Sequence, residues 1–259
     1  MLAAGLLLLA SCEGKKQEAV HYNAFSHNDY TRERPLYDAL SNGFNCVEAD
    51  VHLIDGKLYV AHDYPQDLSK VKTLDELYIQ PLSEEVEKNG GSVYPHSNQP
   101  FLLMIDFKAK GDSCYATLKP ILEQYKKLFC SIENGQYQQG PILLFFSGDR
   151  PMNTLPQENT RMAFLDGKLD DLNKNIPTTL MPVISDEFSA FFQWDGKGKM
   201  PEKELATLRE MIKKTHAEDK KLRFWGGPNT REYQLMQLEE GVDIIGADDL
   251  AGLHQLLNE

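Results

Sequence analysis

Apolar residues in this chain gather in short runs of strand length, and most of the runs are separated by stretches whose apolar positions recur at helical spacing. The clearest pair of runs is Phe44 to Leu53 and Leu58 to Ala61, rich in β-branched and aromatic residues and joined across Asp55-Gly56. An Asp-Gly step between two such runs predicts consecutive strands linked by a tight turn. Within the first run Val47, Ala49 and Val51 alternate with Glu48 and Asp50. Side chains two apart on a strand leave the same face, so the two carboxylates share one face and the apolar residues the other. Carboxylates held together in this way repel unless a cation or a proton lies between them.

The remaining elements follow in order. Asn23 to His27 reads as a short strand and Pro35 to Leu40 as a short helix stopped at Asn42-Gly43. Thr73 to Leu77 reads as a small helical turn and Glu84 to Ser97 as a polar loop. Phe101 to Phe107 is almost continuously apolar, the mark of a strand covered on both faces. A helix is expected from Cys114 to Cys130, with Leu118, Ile121, Leu122, Tyr125 and Leu128 on one face. Pro141 to Phe146 and Met162 to Leu165 are further strands, and Thr179 to Ile184 is a strand or a loop. Pro201 to His216 is helical, Leu222 to Trp225 strand-like, Tyr233 to Leu238 helical, Val242 to Gly246 a strand and Leu250 to Leu257 a closing helix. Eight or nine strands alternating with helices predict an α/β fold, a single-domain (β/α)8 TIM barrel over residues 21–259. An open doubly wound sheet would carry a glycine-rich dinucleotide turn after a strand, and none is present.

Of the 259 residues 41% are hydrophobic and 10% aromatic, ample for one large core. A net charge of −12 argues against a nucleic-acid partner. Residues 1–20 read as a targeting segment and tether: Leu2 to Ala10 is too short to span a bilayer, and Leu9-Ala10-Ser11-Cys12 resembles a bacterial lipobox. The expectation is a signal peptide, a membrane-bound lipoprotein acylated at Cys12, and a place in the bacterial cell envelope. Cys46, Cys114 and Cys130 are expected to be free thiols, and the protein a monomer.

The mouth of a barrel forms at the C-terminal ends of its strands. His27, Glu48, Asp50, His62, Asp106 and Lys108 all stand at or near such ends. Three carboxylates from two strands suit an oxygen-preferring divalent ion, Mg2+ or Ca2+. Two histidines suit a general acid and a general base, and a lysine beside the third carboxylate could stabilise charge on phosphate oxygens. Together they suggest cleavage of a phosphodiester.

The ordered set His27, Glu48-Ala49-Asp50, His62-Asp63, Asp106-Phe107-Lys108, Trp225 and Gly241 to Asp248 resembles the glycerophosphodiester phosphodiesterase family. Its wider superfamily also holds phosphatidylinositol-specific phospholipase C. The resemblance implies a TIM barrel, Glu48, Asp50 and Asp106 as metal ligands, and His27 and His62 as the catalytic pair. It also implies substrate contacts at Lys108 and Trp225, with Asn28 at the position next to the first histidine. The family's usual His-Arg-Gly is here His27-Asn28-Asp29, which replaces an arginine by Asn28 and adds a carboxylate at Asp29. The third ligand is Asp106 where many members have glutamate.

Each residue alone has a simpler reading. A histidine can be structural, Asp106 can cap a helix, Trp225 can be core, and Asp248 and Asp249 can cap the last helix. The function expected is metal-dependent hydrolysis of a glycerophosphodiester or phospholipid-type phosphodiester by histidine acid–base catalysis. The alternatives are a glycan-acting barrel hydrolase and a non-catalytic binding module on the same barrel.

Overall fold

The protein is described by a computed structural model covering residues 19–259. Its strands in chain order are β1 (His21–Ser26), β2 (Phe44–Ile54), β3 (Lys57–Val60), β4 (Phe101–Phe107), β5 (Ser131–Glu133), β6 (Gln136–Gln138), β7 (Ile142–Gly148), β8 (Phe164–Gly167), β9 (Val183–Glu187), β10 (Lys221–Trp225) and β11 (Ile245–Ala247). The α-helices are α1 (Tyr37–Ser41), α2 (Gln80–Lys88), α3 (Gly111–Gln124), α4 (Phe188–Phe191), α5 (Glu202–His216), α6 (Arg231–Glu240) and α7 (Leu250–Leu257).

Eight parallel strands curl round in the order β10, β9, β8, β7, β4, β2, β1, β11, and one bridge between Arg223 and Ile244 spans the remaining seam. The result is a nearly closed (β/α)8 barrel, as the pattern predicts. Strand β3 is no barrel stave: it folds back antiparallel on β2, with Asp55 at φ 48° and Gly56 at φ 73°. Two successive left-handed residues make the turn that matches strand twist.

Period-two alternation sorts the side chains into two apolar layers. Val47, Ala49, Val51, Leu103, Ile105, Leu144 and Phe146 point outward to the helices, whereas Phe25, Cys46, Leu102, Met104, Phe145, Phe164 and Val183 fill the interior. Register then decides what lies above that floor. Asp50 pairs with Asp106, and Asp106 with Ser147, so the interior positions turn polar at one level across adjacent strands.

Several elements differ from expectation. The segment read as a loop after Glu84 begins as helix α2, entered through a π-helical turn at Asp75–Ile79. Pro81 in its first turn and Gly90-Gly91 just beyond its end are ordinary helix punctuation. Helix α3 stops at Gln124, so Cys114 and Cys130 do not share one helix: Cys130 precedes β5. All three described cysteines are nonetheless free and buried. The expected signal segment and Cys12 lie outside the described residues. No described helix is long and apolar enough to cross a membrane.

Candidate active site

Each functional side chain is placed by a strand end or by the loop that follows it. Glu48 and Asp50 rise from the inner face of β2, Asp106 from β4, and Lys108 sits two residues further along. Oxygen atoms of Glu48, Asp50 and Asp106 lie within 4.8 Å of one another. Gly148 on the neighbouring strand keeps Asp106 in position. It has φ 65°, and a Cβ there would collide with Asp106 Oδ1 and the Phe107 carbonyl.

The two oxygens of Asp50 have different surroundings. Oδ2 accepts from Tyr30 Oη at 2.7 Å and pairs with Lys108 Nζ at 2.7 Å and His62 Nδ1 at 2.9 Å. Oδ1 is buried with no partner at all. A buried orphan oxygen of this kind is disfavoured unless something fills its place. The chemistry of the donors, three carboxylates facing one gap with an orphan oxygen among them, fits a hard divalent cation.

The histidines stand on either side of this group. His27 Nδ1 is held by Asp248 Oδ1 at 2.8 Å, and its Nε2 lies 3.8 Å from Glu48 Oε2. His62, on the loop after β3, has Nδ1 tied to Asp50. In both rings a carboxylate accepts from Nδ1, which leaves Nε2 as the exchangeable position. Asn28 adopts the left-handed conformation, and its backbone N–H donates to Glu48 Oε2 at 2.9 Å. Tyr30 ties the arrangement together, since its single hydroxyl proton lies between Asp50 Oδ2 and Asn28 Oδ1, the latter 2.8 Å from Oη.

Burial pushes the Glu48 carboxyl above its ordinary range, while the Arg223 guanidinium, His27 and the Asn28 N–H act against that shift. Burial works against the charge of Lys108, but hydrogen bonds and charges from Asp50 and Asp106 outweigh it and hold its pKa above the usual value. Tyr30 is raised far above a free phenol by burial and by Asp50, so it remains a donor.

The structure brings His27, Asn28, Glu48, Asp50, His62, Asp106, Lys108 and Trp225 to one cleft of about 330 Å³. It assigns other roles to two residues that the sequence left open. Asp248 does not cap helix α7; Asp249 does, accepting from the Gly252 N–H, while Asp248 orients His27. Asp29 points away from the cleft and is wholly buried, accepting from Ser26 Oγ, the Leu36 N–H and Tyr78 Oη. It braces the β1–α1 connection, and burial pushes its carboxyl upward.

Sequence reasoning missed Tyr30, Ser147, Arg150, Asp166, Lys168 and Arg223, all but Tyr30 of which line the cleft. Asp166 is buried and accepts from Ser147 Oγ at 3.0 Å. Lys168 Nζ stands over the Trp225 ring at 5.5 Å from its centre. Arg223 carried a readable signal, because it lies two residues before Trp225 on a strand and therefore shares its inward face.

A parallel barrel with an acidic, histidine-flanked mouth is the architecture of barrel phosphodiesterases, and solved structures agree on the fold. A glycerophosphodiester phosphodiesterase from Parabacteroides distasonis superposes with a TM-score of 0.55 at 13% identity, covering 95% of this chain and 100% of its own. An Oleispira antarctica phosphodiesterase in complex with the product sn-glycerol-3-phosphate does so with 0.54 at 12%, over 92% and 97%. The family model of the AIM6-like phosphodiesterase domain matches residues 15–166, and this chain belongs to that family. Among its relatives are the altered inheritance of mitochondria protein 6 homolog of Arthroderma benhamiae and the protein of that name from Saccharomyces cerevisiae. The first is 29% identical over 87% of this chain and 80% of its own length, the second 26% over 87% and 68%.

These relatives correct one group of expectations. They are fungal proteins named for mitochondrial inheritance, so they point to a eukaryotic setting. The reading as a bacterial envelope lipoprotein with a signal peptide and a lipid anchor at Cys12 is therefore overturned. The lipobox resemblance rested on a short leucine-rich run, a pattern with little chemical specificity.

Proposed function

We propose that the chain is a divalent-metal-dependent phosphodiesterase acting on a glycerophosphodiester or a phospholipid-type phosphodiester. The observation that carries the reading is the orphaned, buried Oδ1 of Asp50 within an acidic triad whose neighbours on both sides are oriented imidazoles. Glu48, Asp50 and Asp106 would hold the ion, Mg2+ or Ca2+. When bound, such an ion supplies Lewis-acid neutralisation of a non-bridging phosphate oxygen.

The protein groups divide the rest of the chemistry. Lys108 Nζ, between Asp50 and Asp106, offers its remaining N–H to another phosphate oxygen. One histidine takes a proton on Nε2 from the attacking hydroxyl, and the other delivers a proton from Nε2 to the leaving oxygen. Asp248 and Asp50 keep both rings in the tautomer that makes Nε2 available. Asn28 and Trp225 shape the space in which the ester substituents lie. Two histidines and a lysine at the mouth serve phosphoryl chemistry better than glycoside cleavage, which relies on a pair of carboxyl groups.

Hydrolysis of bis-p-nitrophenyl phosphate is the direct test. Turnover that EDTA abolishes and Mg2+ or Ca2+ restores supports the reading; hydrolysis unaffected by EDTA, or activity on aryl glycosides instead, refutes it.

A further inference from the structure

The barrel has one loose joint among its described residues. Strands β10 and β11 share no ladder: the Arg223–Ile244 bridge and the bonds of Leu222 to Asp243 and Ile244 close one end of the seam, and beside them opens a cavity of about 140 Å³. Phe25, His27, Arg223, Asn229, Tyr233 and Asp248 are among its walls. His27 and Arg223 also line the main cleft, so the two spaces adjoin.

Arg223 is only 3% exposed and Tyr233 6%. The guanidinium lies 4.3 Å over the Phe25 ring, and Arg223 Nε and Tyr233 Oη are both buried without a hydrogen-bond partner. Arg223 influences the carboxyls of Glu48 and Asp166, yet it approaches neither within ion-pair distance. A buried guanidinium without a hydrogen-bonded partner is among the most strongly disfavoured arrangements in a protein interior. Both side chains line the cavity, and a guanidinium with no hydrogen-bonded or ion-paired partner calls for an anionic acceptor. The space exceeds the roughly 30 Å³ of a single water several times over. Asp248, the acid on the rim, is already engaged, with Oδ1 on His27 at 2.8 Å and Oδ2 facing the Asn229 amide at 3.4 Å.

We propose that the seam cavity binds a phosphate-sized oxyanion through Arg223 and Tyr233. The oxyanion is either a second acidic group of the substrate or free phosphate. Only the first of these sources rests on the phosphodiesterase reading.

The test is calorimetric titration of inorganic phosphate into the full chain in EDTA, where the metal-free acidic triad repels phosphate and the seam is isolated. Wild type is expected to bind one phosphate. Arg223→Met should weaken binding tenfold or more, Arg223→Lys by less, and Tyr233→Phe by roughly threefold. Mn2+ titration should give wild-type affinity in Arg223→Lys and Tyr233→Phe, which keep the charge beside Glu48, and this separates loss of the anion site from general damage. Tyr233→Phe removes one hydroxyl, so it keeps the test sharp if Arg223→Met does not fold. Absence of phosphate binding to wild type, or an unchanged affinity in Arg223→Met, overturns the proposal. Because the titration needs no turnover, it is decided even if no diester is hydrolysed. Where one is, a lower KM for a diester carrying an added phosphomonoester, lost in Arg223→Met and reduced in Arg223→Lys, assigns the anion to the substrate. Equal KM values alongside phosphate binding assign it to free phosphate.

Discussion

The two sides of the cleft are built differently. The side contributed by β1 to β4 is a web of mutual commitments: Asp50 is held by Tyr30, Lys108 and His62, Glu48 by the Asn28 N–H, and His27 by Asp248. The side contributed by β7 to β10 presents Lys168 over an aromatic ring and Arg223 with no hydrogen bond, and of these cations Arg150 alone is tied down, by the Asp166 carbonyl and Asp171. The family model covers the first side together with β7 and most of β8, and ends at residue 166, just short of Lys168. The contrast teaches a division of labour. A preorganised wall suits reaction chemistry, whose electrostatics must be set in advance, whereas uncommitted cations suit the selection of what is bound.

The sharpest way to break this comparison is to attack the first wall at its centre. Asp50→Asn should lower turnover of bis-p-nitrophenyl phosphate by about a thousandfold or more and weaken Mn2+ binding in titration, because it removes the negative charge that three donors share and one of the three ligand carboxylates. His62→Ala should cost about a thousandfold in kcat while leaving Mn2+ affinity intact. Rates near wild type would remove His62 from the reaction. Asp248→Asn should lower kcat by roughly a hundredfold with KM and Mn2+ affinity unchanged, the mark of a residue that positions His27. Gly148→Ala should weaken Mn2+ binding by about tenfold, since the added methyl group displaces Asp106 and strains a positive φ. On the second wall, Trp225→Ala should raise KM by roughly threefold with little change in kcat, as lost ring contact affects binding alone. A larger loss in kcat than in KM for Trp225→Ala would erase the proposed distinction between the walls.

The first wall was also the more readable in the sequence, for a physical reason. Alternation on β2 and β4 places Glu48, Asp50 and Asp106 on inner faces without any knowledge of tertiary structure, because the apolar residues between them declare which face is outward. The same rule extended to Leu222-Arg223-Phe224-Trp225 identifies Arg223 as inward, but a single arginine in a strand lacks the repetition that made the acidic pair conspicuous. Tyr30 lies in a short 3-10 turn, where no period exists to orient a side chain. Asp248 and Asp249 both read as caps, although a helix has one N-cap, and only the fold shows that Asp248 faces a histidine 221 residues earlier in the chain. Periodicity misled at α3, where Tyr125 and Leu128 continue the spacing of a helix that ends at Gln124.

The convergence of Glu48, Asp50 and Asp106 on one cation is the claim from which the rest follows, and Mn2+ titration followed by electron paramagnetic resonance measures it directly. The account predicts one tightly bound ion per chain, displaced by Mg2+ or Ca2+ and lost in Glu48→Gln and Asp106→Asn alike. A wild-type chain that binds no ion, or variants that bind it as well as wild type, would contradict it.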